Sequence, residues 1–157
     1  MIFVVLGTQD KKFDRLLKAV EKLNIDEEIV IQAGINEIKT DKENIKILKF
    51  INPEEFEKYM KEARIIICHA GVGTLVEAVK LNKKVIAAAR LAKYGEHVND
   101  HQMQILEAFA SKGYILPLNN FEDLEDLLKQ EFKPKKFDSN NENFIKKLDE
   151  KIEKIAK

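Results

Sequence analysis

Residues 68–77 read CHAGVGTLVE and follow directly on the apolar run RIIIC, so a histidine, two glycines and a threonine fall where a buried strand would give way to a helix. The first N–H groups of a helix lack partners within it. Gly71 and Gly73 would let such amides approach an anion closely, and Thr74 can add a hydroxyl where the helix dipole favours negative charge. The pattern suits a diphosphate. Glu77, one turn further on, would repel phosphate but could accept hydrogen bonds from ribose hydroxyls. The competing reading is a helix-capping turn whose glycines serve tight packing. A second turn of related form, GTQD, follows the run IFVVL near the start of the chain.

Other chemistry can be drawn from the same residues. Gly71 and Gly73 supply the first two glycines of a dinucleotide-binding GxGxxG, but Val76 holds the third place. The ribose-binding acid expected about 20 residues on is missing as well. Arg90 stands near that point and could suit a 2′-phosphate. The segment EHVNDH at 96–101 sets His97 and His101 four apart beside Glu96 and Asp100, a zinc spacing if helical; His69 or Cys68 would have to complete it. The alternative there is a metal-free polar site, or a helix start capped by Asn99. Tyr94, beside Gly95, is a stacking or gating candidate or a plain surface residue. Cys68, at a strand end, reads as core.

The elements that must hold these residues follow from hydrophobic patterning. Short apolar runs at 2–6 (IFVVL), 28–33 (EIVIQA), 45–50 (IKILKF), 64–68 (RIIIC), 84–89 (KVIAAA) and 114–118 (YILPL) read as buried strands. Between them lie amphipathic helical stretches. One carries Phe13, Leu16, Leu17, Val20 and Leu23 at helical spacing; another opens at NPEEF with Asn52 as N-cap, Pro53 at the first position and Glu55 completing a capping box. Strands alternating with helices predict an α/β fold with an open, mostly parallel Rossmann-like sheet covered on both faces. Residues 1–130 form that domain. Residues 131–157 form a polar connector and a last helix whose Phe144, Leu148, Ile152 and Ile155 stripe packs on the domain or on a partner.

Composition narrows the class further. A length of 157 residues suits one domain, and 27 basic against 27 acidic side chains offer no general attraction to nucleic acid. A single cysteine and no charged leader before an apolar segment make the cytoplasm the default expectation. No apolar run approaches the roughly 20 residues of a membrane span.

Taken together, FVVLGTQ, KFINPEEFEKYMKEARIIICHAGVGTLVEA and RLAKYGEHVNDHQ resemble the C-terminal, nucleotide-sugar-binding half of GT-B glycosyltransferases. The closest likeness is to stand-alone catalytic subunits of split UDP-sugar transferases, of the dolichol-linked GlcNAc type and the bacterial exopolysaccharide and capsule type. The resemblance implies a turn at Gly7, Thr8 and Gln9 facing the donor diphosphate, and a strand end at Phe50 and Ile51 whose backbone pairs with uracil. It implies a pyrophosphate loop of His69, Ala70, Gly71, Val72, Gly73 and Thr74, with Glu77 on the ribose. Asp100, His101 and Gln102 would meet the donor sugar, with Arg90, Tyr94, Glu96 and His97 near the donor. Relatives often carry Pro where this chain has Ala89.

The expected activity is that of a donor-binding catalytic subunit of an inverting transferase, moving a hexose or N-acetylhexosamine from a UDP-sugar to a lipid-linked acceptor. His69 and Arg90 are its candidate catalytic groups, the general base coming from elsewhere. No metal or other cofactor is expected. The implied partner is a membrane-anchored subunit supplying the acceptor half, which would hold the protein at the inner face of the membrane. A non-catalytic nucleotide-binding module and an NADP-binding Rossmann domain are the alternatives.

Overall fold

The computed structural model describes residues 1–137, 143–148 and 150. Six parallel strands form one sheet: β1 (Ile2–Val5), β2 (Ile29–Gln32), β3 (Ile45–Leu48), β4 (Ile65–His69), β5 (Lys84–Ala88) and β6 (Leu116–Pro117), in the order β3-β2-β1-β4-β5-β6. Alternate residues of each strand face opposite sides. Phe3, Val5, Ile66, Cys68 and Val85 enter one core, with α2 (Pro53–Glu62), α3 (Val72–Val79) and α4 (His101–Ser111). Ile2, Val4, Ile29, Ile31, Ile65, Ile67 and Ile86 enter the other, beneath α1 (Asp14–Glu21) and α5 (Leu124–Lys129). Burial of both faces is why the strands read as unbroken apolar runs rather than alternating ones.

The Asn52 cap acts as the sequence implies, while the Glu55 carboxylate accepts from the Asn52 side-chain amide and not from its backbone N–H, so the expected box forms by half. Asn52 Oδ1 accepts from the Glu55 backbone N–H at 2.8 Å, with Pro53 at the first helical position. Helix C-termini are capped from other elements, a device the sequence does not advertise. Lys42 donates to the carbonyls of Glu21 and Leu23 after α1, Lys83 to Met60 and Lys61 of α2, and Lys84 to Leu128 and Gln130 after α5. Each ammonium offsets the negative end of a helix dipole and satisfies orphan carbonyls. Residues 143–148 are helical, and Phe144 packs edge-on against Phe109 at 5.2 Å and Tyr114 at 5.7 Å, with Leu148 buried on the same core. Ile152 and Ile155 of the expected stripe lie outside the described residues.

The order of the strands positions the site. The chain leaves β1 toward α1 on one face and leaves β4 toward α3 on the other, although β1 and β4 are neighbours in register, Val5 beside Cys68. At such a reversal the two exit loops diverge and leave a crevice beyond the strand ends. Those loops are GTQ and HAGVGT.

Candidate functional site

The crevice is a cavity of about 870 Å³. Gly7, Thr8 and Gln9 line it from the first turn, Phe50 and Ile51 from the end of β3, and His69, Gly71, Gly73, Thr74 and Glu77 from β4 and α3. Ten expected positions thus share one space. Helix α3 starts at Val72 with Gly71 as its N-cap; no side chain caps it, and its first turn holds no acidic residue. Its first amides therefore face the crevice with their dipole unopposed. Phe50 is 62% exposed, an aromatic surface at the other end of the same space.

His69 holds the two turns in register. It is only 5% exposed, and its ring lies against both glycines: a Cβ on Gly7 would come within 2.8 Å of Nε2, and one on Gly71 within 2.6 Å of Cε1. Gly7 also sits at φ +90°, where L side chains are strained. Gln32 accepts from the Gly7 N–H at 3.0 Å and donates to the Gly7 carbonyl at 3.1 Å, fixing the peptide groups on both sides of that residue. Sequence reasoning passed over Gln32. The available signal was a polar residue closing the apolar strand IVIQ, buried to 3% exposure in the structure. Lys61 and Lys80 at the rim were passed over too.

Burial, with Arg90 and then His97 adding to it, pushes the His69 imidazole down to about 3. The ring is neutral at physiological pH and brings no positive charge to a phosphate. It is also a weak base, in keeping with a general base that comes from elsewhere. The sign of the linkage is definite: below the ordinary value of 6.5 the unfolded chain binds a proton that the folded ring refuses. That stability is present above pH 6.5 and lost as pH falls toward 3, at up to about 1.4 kcal/mol per pH unit. Denaturant unfolding between pH 7 and pH 5 should lose about 2 kcal/mol, and His69→Gln should flatten most of that slope. Cys68 is fully buried and its thiol is pushed up to about 12, so it is core, as its position suggested.

The remaining expected residues do not line the cavity. Arg90 is fully buried, and its guanidinium donates to the carbonyls of Leu6, Lys11 (2.8 Å) and Glu96 (3.1 Å). It braces the first turn and the β5–α4 loop from inside instead of facing the phosphates or a 2′-phosphate. Glu96, 2% exposed, takes a bidentate pair from Arg15 at 2.8 and 2.7 Å and accepts from the Leu91 N–H. Tyr94 stacks on the Arg15 guanidinium at 4.2 Å, opposite Phe121 at 4.4 Å. These residues shape the loop. Tyr94, Arg15 and Phe121 border a separate groove of about 730 Å³ that contains none of the glycine-turn residues.

Asp100 accepts from the Ala92 N–H at 2.8 Å and is the N-cap of α4, with no side-chain cap of its own; Asn99, expected as the cap, lies one residue earlier and accepts from the His101 N–H in a turn leading into the helix. His97 precedes that helix and accepts from the Asn99 N–H through Nδ1, so His97 and His101 do not share a helical face. No group of three potential metal ligands occurs among the described residues. Gln102, expected at the donor sugar, is 3% exposed and turned inward, its Oε1 accepting from the Arg90 N–H at 3.0 Å. Ala70 is buried behind the loop, and Val72 is half-buried in the first turn of α3.

A six-stranded parallel Rossmann-like sheet with two glycine turns on one crevice is the architecture of one half of a GT-B fold. Comparison with known proteins gives the family: the glycosyltransferase family 28 C-terminal domain matches residues 1–157, and the chain belongs to that family. Among curated proteins it is similar to the UDP-N-acetylglucosamine transferase subunit ALG13 of Candida albicans, 29% identical over 73 residues, which is 46% of this chain and 24% of that protein. It is also similar to ALG13 of Candida glabrata, 36% identical over 55 residues, 35% of this chain and 26% of that protein. The matched segments thus span about a quarter of those relatives' length.

Solved structures share the fold. Acinetobacter baumannii MurG superposes with a TM-score of 0.58 at 23% identity, covering 82% of this chain and 40% of that one. The solution structure of ALG13 does so at 0.56 and 18% identity, covering 85% and 87%.

Proposed function

We propose that this chain is the donor-binding catalytic subunit of an inverting glycosyltransferase that takes a hexose or N-acetylhexosamine from a UDP-sugar and passes it to a lipid-linked acceptor. The observation that carries the reading is the convergence of the Gly7 turn and the uncapped N-terminus of α3 on one cavity, with Phe50 and Ile51 at one side and Glu77 one helical turn from Thr74. Uracil would lie against the end of β3, ribose by Glu77, and the diphosphate over Gly71, Gly73 and Thr74. As the glycosidic bond breaks, negative charge grows on the diphosphate, and fixed amides at a helix terminus stabilise it without having to reorganise. In this reading no metal is required.

A base for the acceptor hydroxyl must stand across the sugar from the leaving group. The neutral, buried His69 and the enclosed Arg90 are unsuited to it. A separate subunit supplying the acceptor half and the base is the natural complement, and the description of both Candida relatives as transferase subunits supports it. No helix among the described residues is long and apolar enough to cross a membrane. In this reading membrane anchorage, at the cytoplasmic face, belongs to the partner.

Calorimetric titration in EDTA tests the reading. UDP and a UDP-sugar should bind without added metal, and Glu77→Gln should weaken both about 10-fold, the loss of a hydrogen bond to a charged group. NADPH should not compete. Binding that vanishes in EDTA, or NADPH binding tighter than UDP, would overturn it.

A further inference from the structure

Behind the turn that faces the cavity, buried side chains form a directed relay. The Arg90 backbone N–H, which can only donate, points at Gln102 Oε1 at 3.0 Å. That fixes the orientation of the amide, so its NH2 faces His69 Nδ1 at 3.4 Å. An amide NH2 also only donates, so Nδ1 must offer a lone pair. In a neutral imidazole the proton then sits on Nε2, which lies 3.3 Å from Thr74 Oγ1. The Thr74 oxygen accepts that proton's hydrogen bond. Its own hydrogen is thereby turned away from the ring, into the cavity that Thr74 lines.

The alternative tautomer would exchange the roles of the two ring nitrogens and set an Nδ1–H against the donor-only NH2 of Gln102. Nε2 would take the hydroxyl hydrogen, and Thr74 would present lone pairs to an arriving anion. The ring has no freedom to escape the choice by moving, because Gly7 and Gly71 press on it from two sides. His69 and Gln102 are 5% and 3% exposed, so little of either side chain is open to solvent. Burial also keeps the ring neutral, its value lying at about 3.

We infer that Gln102 is a positioning residue for anion recognition: it locks His69 in the Nε2–H form and so presents the Thr74 hydroxyl as a donor to phosphate oxygens. The identity of the anion as a UDP diphosphate rests on the function proposed above; the relay itself does not.

The test has one arm that needs no ligand. The chain has three histidines, so long-range proton–nitrogen correlation spectra of ¹⁵N-histidine-labelled protein at pH 7 resolve each ring, with His69→Gln assigning the signal. In the free wild-type protein His69 should show an unprotonated Nδ1 and a protonated Nε2. A ring protonated on Nδ1, or on both nitrogens, overturns the inference whatever any variant does. In Gln102→Met the His69 signals should shift to a mixture of both neutral forms.

The second arm is a double-mutant cycle on UDP affinity. Gln102→Met should weaken UDP about 10-fold in the wild type and equally in Thr74→Ser, which keeps a hydroxyl. It should have no effect in Thr74→Val. An equal loss in Thr74→Val would mean that Gln102 acts only through packing, and would overturn the inference. If wild-type protein fails to bind UDP at all, the proposed function falls, and the tautomer of His69 alone decides the relay.

Discussion

Arg90→Met is expected to lower the unfolding free energy by about 3–5 kcal/mol, the cost typical of removing one member of a buried, hydrogen-bonded charge network. The arginine is fully enclosed and is the donor to three carbonyls, those of Leu6, Lys11 and Glu96. Methionine fills much of the volume but supplies no donor, so the buried carbonyls of Leu6 and Glu96 and the half-buried one of Lys11 lose their donor at once. Glu96 keeps its bidentate Arg15 partner, which limits the damage to the carbonyls and to packing against Phe13. Arg90→Lys restores a charge but not the fork, and should recover only part of the loss. Urea unfolding of the three proteins checks the order. A loss below about 1 kcal/mol in Arg90→Met would mean that the loops hold without the guanidinium.

Gly7→Ala is expected to abolish most nucleotide binding while costing about 1–3 kcal/mol of stability. Two independent faults meet at this residue. The backbone lies at φ +90°, and the added methyl would reach 2.8 Å from His69 Nε2. Gln32 clamps the same residue through its N–H and its carbonyl, so the turn cannot swing aside without disturbing those bonds. Adding His69→Ala should relieve the clash and leave the backbone strain. The double variant should therefore regain part of the stability lost by Gly7→Ala, measured against His69→Ala alone. Unfolding curves and UDP titrations of the set decide it: full UDP affinity in Gly7→Ala would show that the first turn takes no part in the site.

The framework was legible because its causes are local. Runs such as IFVV, IVIQ and IIICH are buried on both faces, and their shortness, β-branched content and flanking turn residues fit a covered parallel strand. The Asn52 cap is written in NPEE. The two glycine turns were legible for the same reason, since a strand, a glycine and a helix start already determine where free amides collect.

The segment 90–102 was not legible, because residue type says nothing about side-chain direction in an irregular loop. Arg90, Glu96 and Gln102 look like surface or ligand-facing residues by type. They point inward because the loop folds over Arg15 of α1, 75 positions before Arg90, and because carbonyls at the ends of β1 and its turn need donors. The zinc spacing at His97 and His101 failed on a boundary: α4 starts at His101, so the four-residue interval never becomes a helical face.

The most direct test of a diphosphate held between two turns is amide chemical-shift mapping of the ¹⁵N-labelled protein during titration with UDP in EDTA. The expected result is saturable shifts concentrated at Gly7, Thr8 and Gln9, at Phe50 and Ile51, and at Gly71, Gly73 and Thr74. Shifts confined to the groove bordered by Arg15, Tyr94 and Phe121, or no saturable shifts at either place, would contradict the account.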